Sequence, residues 1–314
     1  MKEPTINEIR EAARRIKPFV HRTPVLTCDA LNRMCEAKIF FKCENFQKAG
    51  AFKIRGATNA VFSLGDAEAS RGVATHSSGN HAAALALAAR WRGIKAYVVM
   101  PETAPQIKKD AVAGYGAEIL FCEPTQTARE KGLAEVVDRT GATFIHSYND
   151  SRVISGQGTA ALELCEEIPD CDVVITPLGG GGLLSGTATA VSATSPNILV
   201  YGAEPEAADD AYRSFHAGRI IPADYPDTIA DGLRMSLGDL TFSIIRKHVK
   251  DIVTVSEKGI IRAMRHIWER MKIVVEPSSA VTLAALLAEP ATFSGKRIGV
   301  ILSGGNVDLS RLPW

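Results

Sequence analysis

Short runs of β-branched and aliphatic residues recur along the chain, each bounded by Gly, Pro, Asn or Asp. That is the pattern of strands buried on both faces. It predicts strands at 38–42, 73–76, 96–100, 118–121, 143–146, 173–177, 198–203, 252–255 and 297–302. Between them the apolar positions recur at helical spacing. Helices are predicted at 6–16, 54–64, 81–90, 105–115, 128–139, 156–167, 183–193, 257–272 and 279–287. Asn80 stands where its side chain could N-cap the third of these. Strands that alternate with helices build parallel sheets covered on both faces. Ligands in such folds sit beyond the carboxyl ends of the strands. The informative residues are therefore the ones just after each strand.

Those junctions are rich in glycine and polar side chains. They read T-H-S-S-G-N-H (75–81), P-L-G-G-G-G-L-L-S-G (177–186), A-E-P-E-A-A-D-D (203–210) and S-G-G-N-V-D (303–308). The run Gly179–Gly182 follows a strand and opens a helix. Residues without Cβ let backbone N–H groups approach an anion, and the helix N-terminus adds its positive dipole end. A phosphate is the natural occupant. The dinucleotide pattern needs glycine where Leu184 or Ser185 stands, and a P-loop needs Gly-Lys-Ser/Thr, so neither applies. Lys53, in A-G-A-F-K-I-R-G-A (49–57), is flanked by Phe52 and Ile54 at the head of an apolar helix. Burial there would disfavour the ammonium form and free an amine to condense with an aldehyde. By position alone, a lysine near a helix start is more often a surface residue. Ser77 and Ser78 lie outside any G-x-S-x-G elbow, which argues against a serine hydrolase.

Charge and cysteine usage narrow the setting. Lys and Arg total 36 against 35 Asp and Glu, a balance that disfavours nucleic acid or an anionic membrane as the main partner. The first residues lack an apolar signal region, and the longest apolar runs are too short to span a bilayer. Six cysteines, at 28, 35, 43, 122, 165 and 171, form no CxxC. They read as free thiols of a reducing compartment, and the expected location is the cytoplasm.

The motifs together resemble the serine racemase and threonine/serine dehydratase family of pyridoxal phosphate (PLP) enzymes, whose fold is of the tryptophan-synthase-β type. The matching segments are F-K-I-R-G-A, T-H-S-S-G-N-H, G-G-G-G-L-L-S-G, A-E-P-x-x-A-D-D, T-I-A-D-G, E-P-S-S-A and L-S-G-G-N-V-D, in family order over nearly the whole chain. The A-D-D-A-Y-R-S-F stretch and the ending near L-P-W resemble the microbial 3-hydroxyaspartate dehydratases in particular.

The resemblance implies an α/β fold of type II, with two open, twisted, mainly parallel sheets flanked by helices. It implies a large PLP-binding domain (1–71 and 149–314) and a small mobile domain (72–148). Lys53 matches the Schiff-base lysine, which also acts as base. Phe52 packs beside the cofactor ring, Asn80 meets its 3-hydroxyl, Gly179, Gly180, Gly181 and Gly182 hold its phosphate, and Ser303 meets the pyridine nitrogen. Ser77, Ser78, Asn80 and His81 hold the substrate α-carboxylate. Ser78 also matches the second acid/base of racemases. Glu204, Asp210 and the carbonyl of Ala208 match a divalent-cation site with hard oxygen ligands, suited to Mg²⁺, Ca²⁺ or Mn²⁺. Arg129 matches an arginine that reaches a second carboxylate, as 3-hydroxyaspartate would require. Tyr148 aligns where the mammalian racemase has Asn, so the resemblance implies a substrate pocket that is not a copy of that one.

The implied activity is dehydration and deamination of a small β-hydroxy amino acid, 3-hydroxyaspartate above all, with serine or threonine as other substrates. Serine racemisation by Lys53 and Ser78 is the alternative activity. A binding protein that has lost its chemistry is the alternative of another class, and it sits poorly with an intact set of Lys53, Asn80, glycine loop and Ser303. The family also implies a homodimer, and because the sequence runs only six residues past the last motif, a regulatory domain of the kind long threonine dehydratases carry is not expected.

Overall fold

The computed structural model describes residues 2–77, 79–104, 106–223 and 226–314. Among the described residues ten strands are present: β1 (Val25–Leu26), β2 (Lys38–Cys43), β3 (Val73–His76), β4 (Ala96–Pro101), β5 (Glu118–Cys122), β6 (Thr143–Phe144), β7 (Val173–Pro177), β8 (Leu199–Pro205), β9 (Asp251–Val255) and β10 (Arg297–Leu302). They form a six-stranded sheet in the order β1-β2-β10-β7-β8-β9 and a four-stranded sheet in the order β5-β4-β3-β6. All pairings are parallel except β1 with β2. The α/β class with two mainly parallel sheets, read from the sequence, holds.

The larger sheet is buried on both faces, and its residues alternate between two cores as the strand period of two requires. Ile39, Phe41, Val173, Ile175, Ile298 and Val300 point to one side, where Met264, Ile267, Leu283 and Phe293 pack. Phe40, Val174, Val200 and Ile301 point to the other, against Leu164, Leu184, Val191 and Ile245. The smaller sheet is covered by the helix Asn80–Arg92 on one face and by Gln126–Thr140 on the other.

The helices Lys53–Phe62, Ser151–Glu167 and Gly182–Thr194 cross at very short range. A Cβ on Gly156 would fall 2.6 Å from the Arg55 carbonyl oxygen, and one on Gly186 2.5 Å from that of Ile154. Glycine is therefore required where these helices cross. The crossings bring the starts of the Lys53 helix and the glycine-loop helix together at one end of the molecule.

Several boundaries differ from the sequence pattern. β1 is two residues of antiparallel edge, too short to register as a periodic run. The helix over 156–167 begins earlier, at Ser151, because Asp150 caps it by accepting from the Arg152 N–H at 2.8 Å. Helices Asp29–Cys35, Asp210–Ala217 and Asp239–His248 were not anticipated. The N-cap of the third expected helix is Gly79, and Asn80 is the first helical residue, so the capping role expected for Asn80 is not the one it has. All six cysteines are free thiols. Among the described residues no helix is long and apolar enough to cross a membrane.

Candidate active site

A cavity of about 710 Å³ opens between the two sheets at the carboxyl ends of their strands. Phe52, Lys53, Ser77, Asn80, His81, Arg129, Gly179, Gly180, Gly181 and Ser303 all line it. Residues scattered from 52 to 303 thus converge on one chamber. Gly182 stands just behind, as the first residue of the helix Gly182–Thr194. Ser78 lies outside the described residues.

Lys53 opens its helix with its amine in the cavity, and Nζ donates to the Ser147 carbonyl at 2.9 Å. The Phe52 ring centroid is 5.2 Å from Nζ. Burial lowers the Lys53 ammonium to about 8, and the charge of Glu276 opposes that only in part. An amine of that pKa is substantially neutral in mildly alkaline solution, which an exposed lysine is not.

Glu276, the first residue of E-P-S-S-A, was not singled out in the sequence. It is buried and accepts two hydrogen bonds from Asn80 Nδ2, at 2.9 and 3.2 Å. Asn306 Nδ2 donates to Asn80 Oδ1 at 2.9 Å and to the Ala49 carbonyl at 2.8 Å. These partners fix which way the Asn80 amide faces. Burial, with Asp231 nearby, pushes Glu276 up to about 7. His81 is buried and held well below its usual value by burial and by Lys53, so its ring is neutral. His81 Nδ1 has no hydrogen-bond partner among the described residues.

The glycine loop has no room for side chains. A Cβ on Gly180 would fall 2.4 Å from the Tyr148 ring, and one on Gly179 2.8 Å from Leu233 Cα. Gly181 has φ of +88°, a left-handed conformation that a Cβ would strain. The first N–H groups of the following helix have no partner within the helix and face the loop. That is an anion cradle made of backbone. Ser303 is buried at the end of β10, and its carbonyl accepts from the Phe52 N–H at 2.9 Å, which ties it to the lysine segment.

A family model described as "Pyridoxal-phosphate dependent enzyme" matches residues 16–304. The chain belongs to that family. It is 56% identical to a β-hydroxyaspartate dehydratase of Paracoccus denitrificans, over 99% of both chains. It is 47% identical to an L-threo-3-hydroxyaspartate ammonia-lyase of Saccharomyces cerevisiae, over 98% of this chain and 95% of the other. Its structure superposes on a serine racemase from Dictyostelium discoideum with a TM-score of 0.94, at 48% identity, over 98% of this chain and 99% of that one.

For a pyridoxal-phosphate dependent enzyme the cavity has fitting parts. A backbone cradle stands ready for a phosphate, a lowered lysine amine for an aldehyde, the Phe52 ring for a flat aromatic face and a buried hydroxyl, Ser303, for a ring nitrogen.

The cavity extends past this set. Arg129 lines it from the helix Gln126–Thr140, and its Nε is buried without a hydrogen-bond partner among the described residues. His76 and His146 lie at the same end, with ring centroids 6.4 Å apart. Sequence reasoning missed His146, Glu276, Lys108 and Asp231. Each reaches the cavity through contacts with residues distant in sequence.

Glu204, Ala208 and Asp210 do not line the cavity; they form a separate buried cluster where β8 meets the helix Asp210–Ala217. Glu204 accepts from the Ala211 and Tyr212 N–H groups at 3.1 and 2.8 Å. Both carboxylate oxygens of Asp210 are buried without a hydrogen-bond partner among the described residues. Among those residues no group of three or more His, Cys, Asp and Glu is arranged to hold a metal.

The lowered amine gives a direct test. In cofactor-free protein, the rate of acylation of Lys53 should rise with pH about a midpoint near 8, followed by peptide mass spectrometry. A midpoint shared with the exposed lysines would contradict the desolvated site.

Proposed function

We propose that the protein is a PLP-dependent ammonia-lyase that converts 3-hydroxyaspartate to oxaloacetate and ammonia, with serine and threonine as lesser substrates. The observation that carries the substrate class is Arg129. A guanidinium whose Nε is buried and unpartnered faces the chamber that holds Lys53, and a bidentate carboxylate is the partner its fork fits. Similarity to two enzymes named for hydroxyaspartate points the same way.

PLP supplies an electron-withdrawing system that lets the α-proton of a bound amino acid leave. The chain's residues do the rest. Ser77, Asn80 and His81, with Ser78, hold the α-carboxylate at the start of a helix, where N–H groups and the dipole favour an anion. Arg129 takes the distal carboxylate, so the amino acid is held at both ends. Phe52 would pack beside the cofactor, Gly179, Gly180, Gly181 and Gly182 would hold its phosphate, and Ser303 would meet its ring nitrogen. Lys53, neutral above about 8, accepts the α-proton. The β-hydroxyl leaves with a proton as water, and the released enamine takes up water and gives up ammonia, so water lost is water regained. Serine racemisation by Lys53 and Ser78 is a second reading, favoured by the likeness to the Dictyostelium structure.

Keto-acid release from PLP-loaded protein should be greatest by kcat/KM for one isomer of 3-hydroxyaspartate over L-serine and L-threonine. Arg129→Ala should lower that kcat/KM about 10- to 100-fold, the loss of one or two charge-assisted hydrogen bonds, and leave serine turnover nearly unchanged. Chiral chromatography of the serine reaction reads racemisation in the same assay. An equal loss on serine would remove Arg129 from distal-carboxylate binding.

The Glu204, Ala208 and Asp210 cluster is proposed to bind a divalent cation, Mg²⁺ or else Ca²⁺ or Mn²⁺. Two buried carboxylates with a carbonyl form a hard-oxygen set. Burial pushes Asp210 up to about 7, and burial together with Asp210 pushes Glu204 well above its usual value. A group raised in the folded state binds protons that the unfolded chain has released. Chelated protein should therefore lose stability as pH rises from about 4 towards 7, and added Mg²⁺ should restore it. Thermal midpoints that ignore both pH and cation would reject the site.

Residues 72–148 are proposed to close over substrate as a unit, in a cytoplasmic homodimer. The Lys108 ammonium pairs with the Asp231 carboxylate across the cavity mouth, one from each side. Closure excludes water from reactive species. Small-angle scattering should show contraction when a dicarboxylate such as malonate is added, and Lys108→Ala should weaken it. An unchanged radius of gyration in the wild-type protein would argue for a rigid site.

A further inference from the structure

We propose that His146 is a positioning residue for the Lys53 amine, acting through the turn 146–149. The proposal rests on Lys53 being the reactive amine, and it adds what holds that amine in place.

Among the described residues, the Ser147 carbonyl is the hydrogen-bond acceptor that Lys53 Nζ reaches, at 2.9 Å across 94 positions of sequence. The direction of that carbonyl therefore sets the direction of the amine. The carbonyl sits in a turn organised by the side chain just before it. His146 Nδ1 accepts from the Tyr148 N–H at 3.2 Å and from the Asn149 N–H at 2.9 Å. A backbone N–H only donates, so Nδ1 carries its lone pair and the ring proton is on Nε2. Burial, together with His76 and Lys53, lowers His146 to about 4, so the acceptor persists through neutral pH.

The ring is also confined. Tyr148 meets it edge-on with centroids 4.5 Å apart, and Phe144 stands 5.6 Å away. The far side of the turn is fixed to the larger sheet's layer. Tyr148 lies against Gly180 and Gly182 of the glycine loop, and Asn149 Oδ1 accepts from the Leu240 N–H at 3.1 Å. Four consecutive residues thus join β6, the amine, the glycine loop and the helix Asp239–His248. Among the described residues, the charge of Glu276 acts on Nζ, and the Lys53 charge in turn helps to keep His81 neutral.

A side chain that accepts from the N–H groups two and three residues on is what Asn, Asp, Ser and Thr provide in local turns. Imidazole provides the same acceptor with a rigid ring that fills the surrounding space. His146→Asn keeps an acceptor for the turn and loses the ring, whereas His146→Leu keeps bulk and loses the acceptor. The two variants separate the turn from the ring's own Nε2–H.

Both variants are compared with wild type in PLP-loaded protein for kcat and KM, and in cofactor-free protein for the pH midpoint of Lys53 acylation. His146→Leu should lower kcat about tenfold or more with a smaller change in KM, since misplacing a reacting group by about 1 Å costs on the order of 100-fold. It should also move the Lys53 midpoint down, because a carbonyl acceptor favours the ammonium form. His146→Asn should recover most of both. Equal losses in the two variants with an unmoved midpoint would overturn the proposal and place the ring itself against substrate. A wild-type-like His146→Leu would overturn it as well. If His146→Leu does not fold, His146→Gln, whose longer arm cannot meet the same two N–H groups, replaces it against His146→Asn. Borohydride reduction of the wild-type holoenzyme, with the attachment site mapped by mass spectrometry, tests the parent reading separately. Attachment at a lysine other than Lys53 would sink that reading whatever the His146 variants do.

Discussion

A buried guanidinium governs where Lys53 stands. Arg55 is fully buried two residues after Lys53, and it is spanned by carboxylates from two other elements. Glu44 takes its Nε and one terminal nitrogen at 2.7 and 2.8 Å, and Glu163 takes both terminal nitrogens at 2.8 and 2.9 Å. Lys42 joins the same cluster through Glu163 at 2.7 Å, and Thr23 donates to Glu44 at 2.6 Å. Burial alone would raise Glu163, but the hydrogen bond and charge of Arg55 outweigh it and hold the carboxyl below its usual value. Such a cluster contributes little net stability over an apolar core of the same volume, yet losing one member leaves a buried charge unpaired at a cost of about 3–5 kcal/mol. Its effect is geometric. It joins the end of β2, the lysine helix and the helix Ser151–Glu167 in one register, and Lys53 cannot shift without breaking it.

With the helix start fixed, the cavity's chemistry follows from what surrounds the amine. Desolvation favours the neutral amine, while Glu276 favours the charged one. Glu276 is itself raised by burial and Asp231, which weakens its hold on the ammonium. The two groups meet in the range of pH 7 to 8, where a group that must both accept and return a proton is most effective. Asn80, bound to Glu276 and Asn306, ties this electrostatic balance to the smaller sheet's side of the chamber.

The legible parts of the sequence were those with local rules. Strand runs buried on both faces, a strand followed by four glycines and a helix, and a lysine between two apolar residues each carry their meaning within ten residues. The illegible parts depend on contacts made across the fold. Asn80 reads as a cap because Asn next to a helix start usually is one, but its side chain is engaged by Glu276, 196 residues on. Glu276 precedes a proline that opens a helix, and locally it resembles a capping residue and nothing more. His146 closes the pattern of a short strand, and only the folded turn shows its nitrogen accepting from two amides. The helices missed over 29–35, 210–217 and 239–248 are short or amphipathic segments whose stability comes from packing, which periodicity in a brief window does not register.

The same division explains how Tyr148 fits this chain. The glycine loop leaves a volume beside Gly180 and Gly182 that the Tyr148 ring fills to contact, so side chain and loop are complementary shapes. A smaller residue there would leave an apolar gap against the phosphate cradle, and interiors tolerate such gaps poorly. The ring is also the edge on which His146 rests. A change at 148 therefore acts on substrate space, on the cradle and on the turn that aims Lys53 at once. The turn leads from β6 into the helix Ser151–Glu167, and the Lys53 amine, the glycine loop and Arg129 share the cavity that His146, Ser147 and Tyr148 line, so a change in this turn bears on all three.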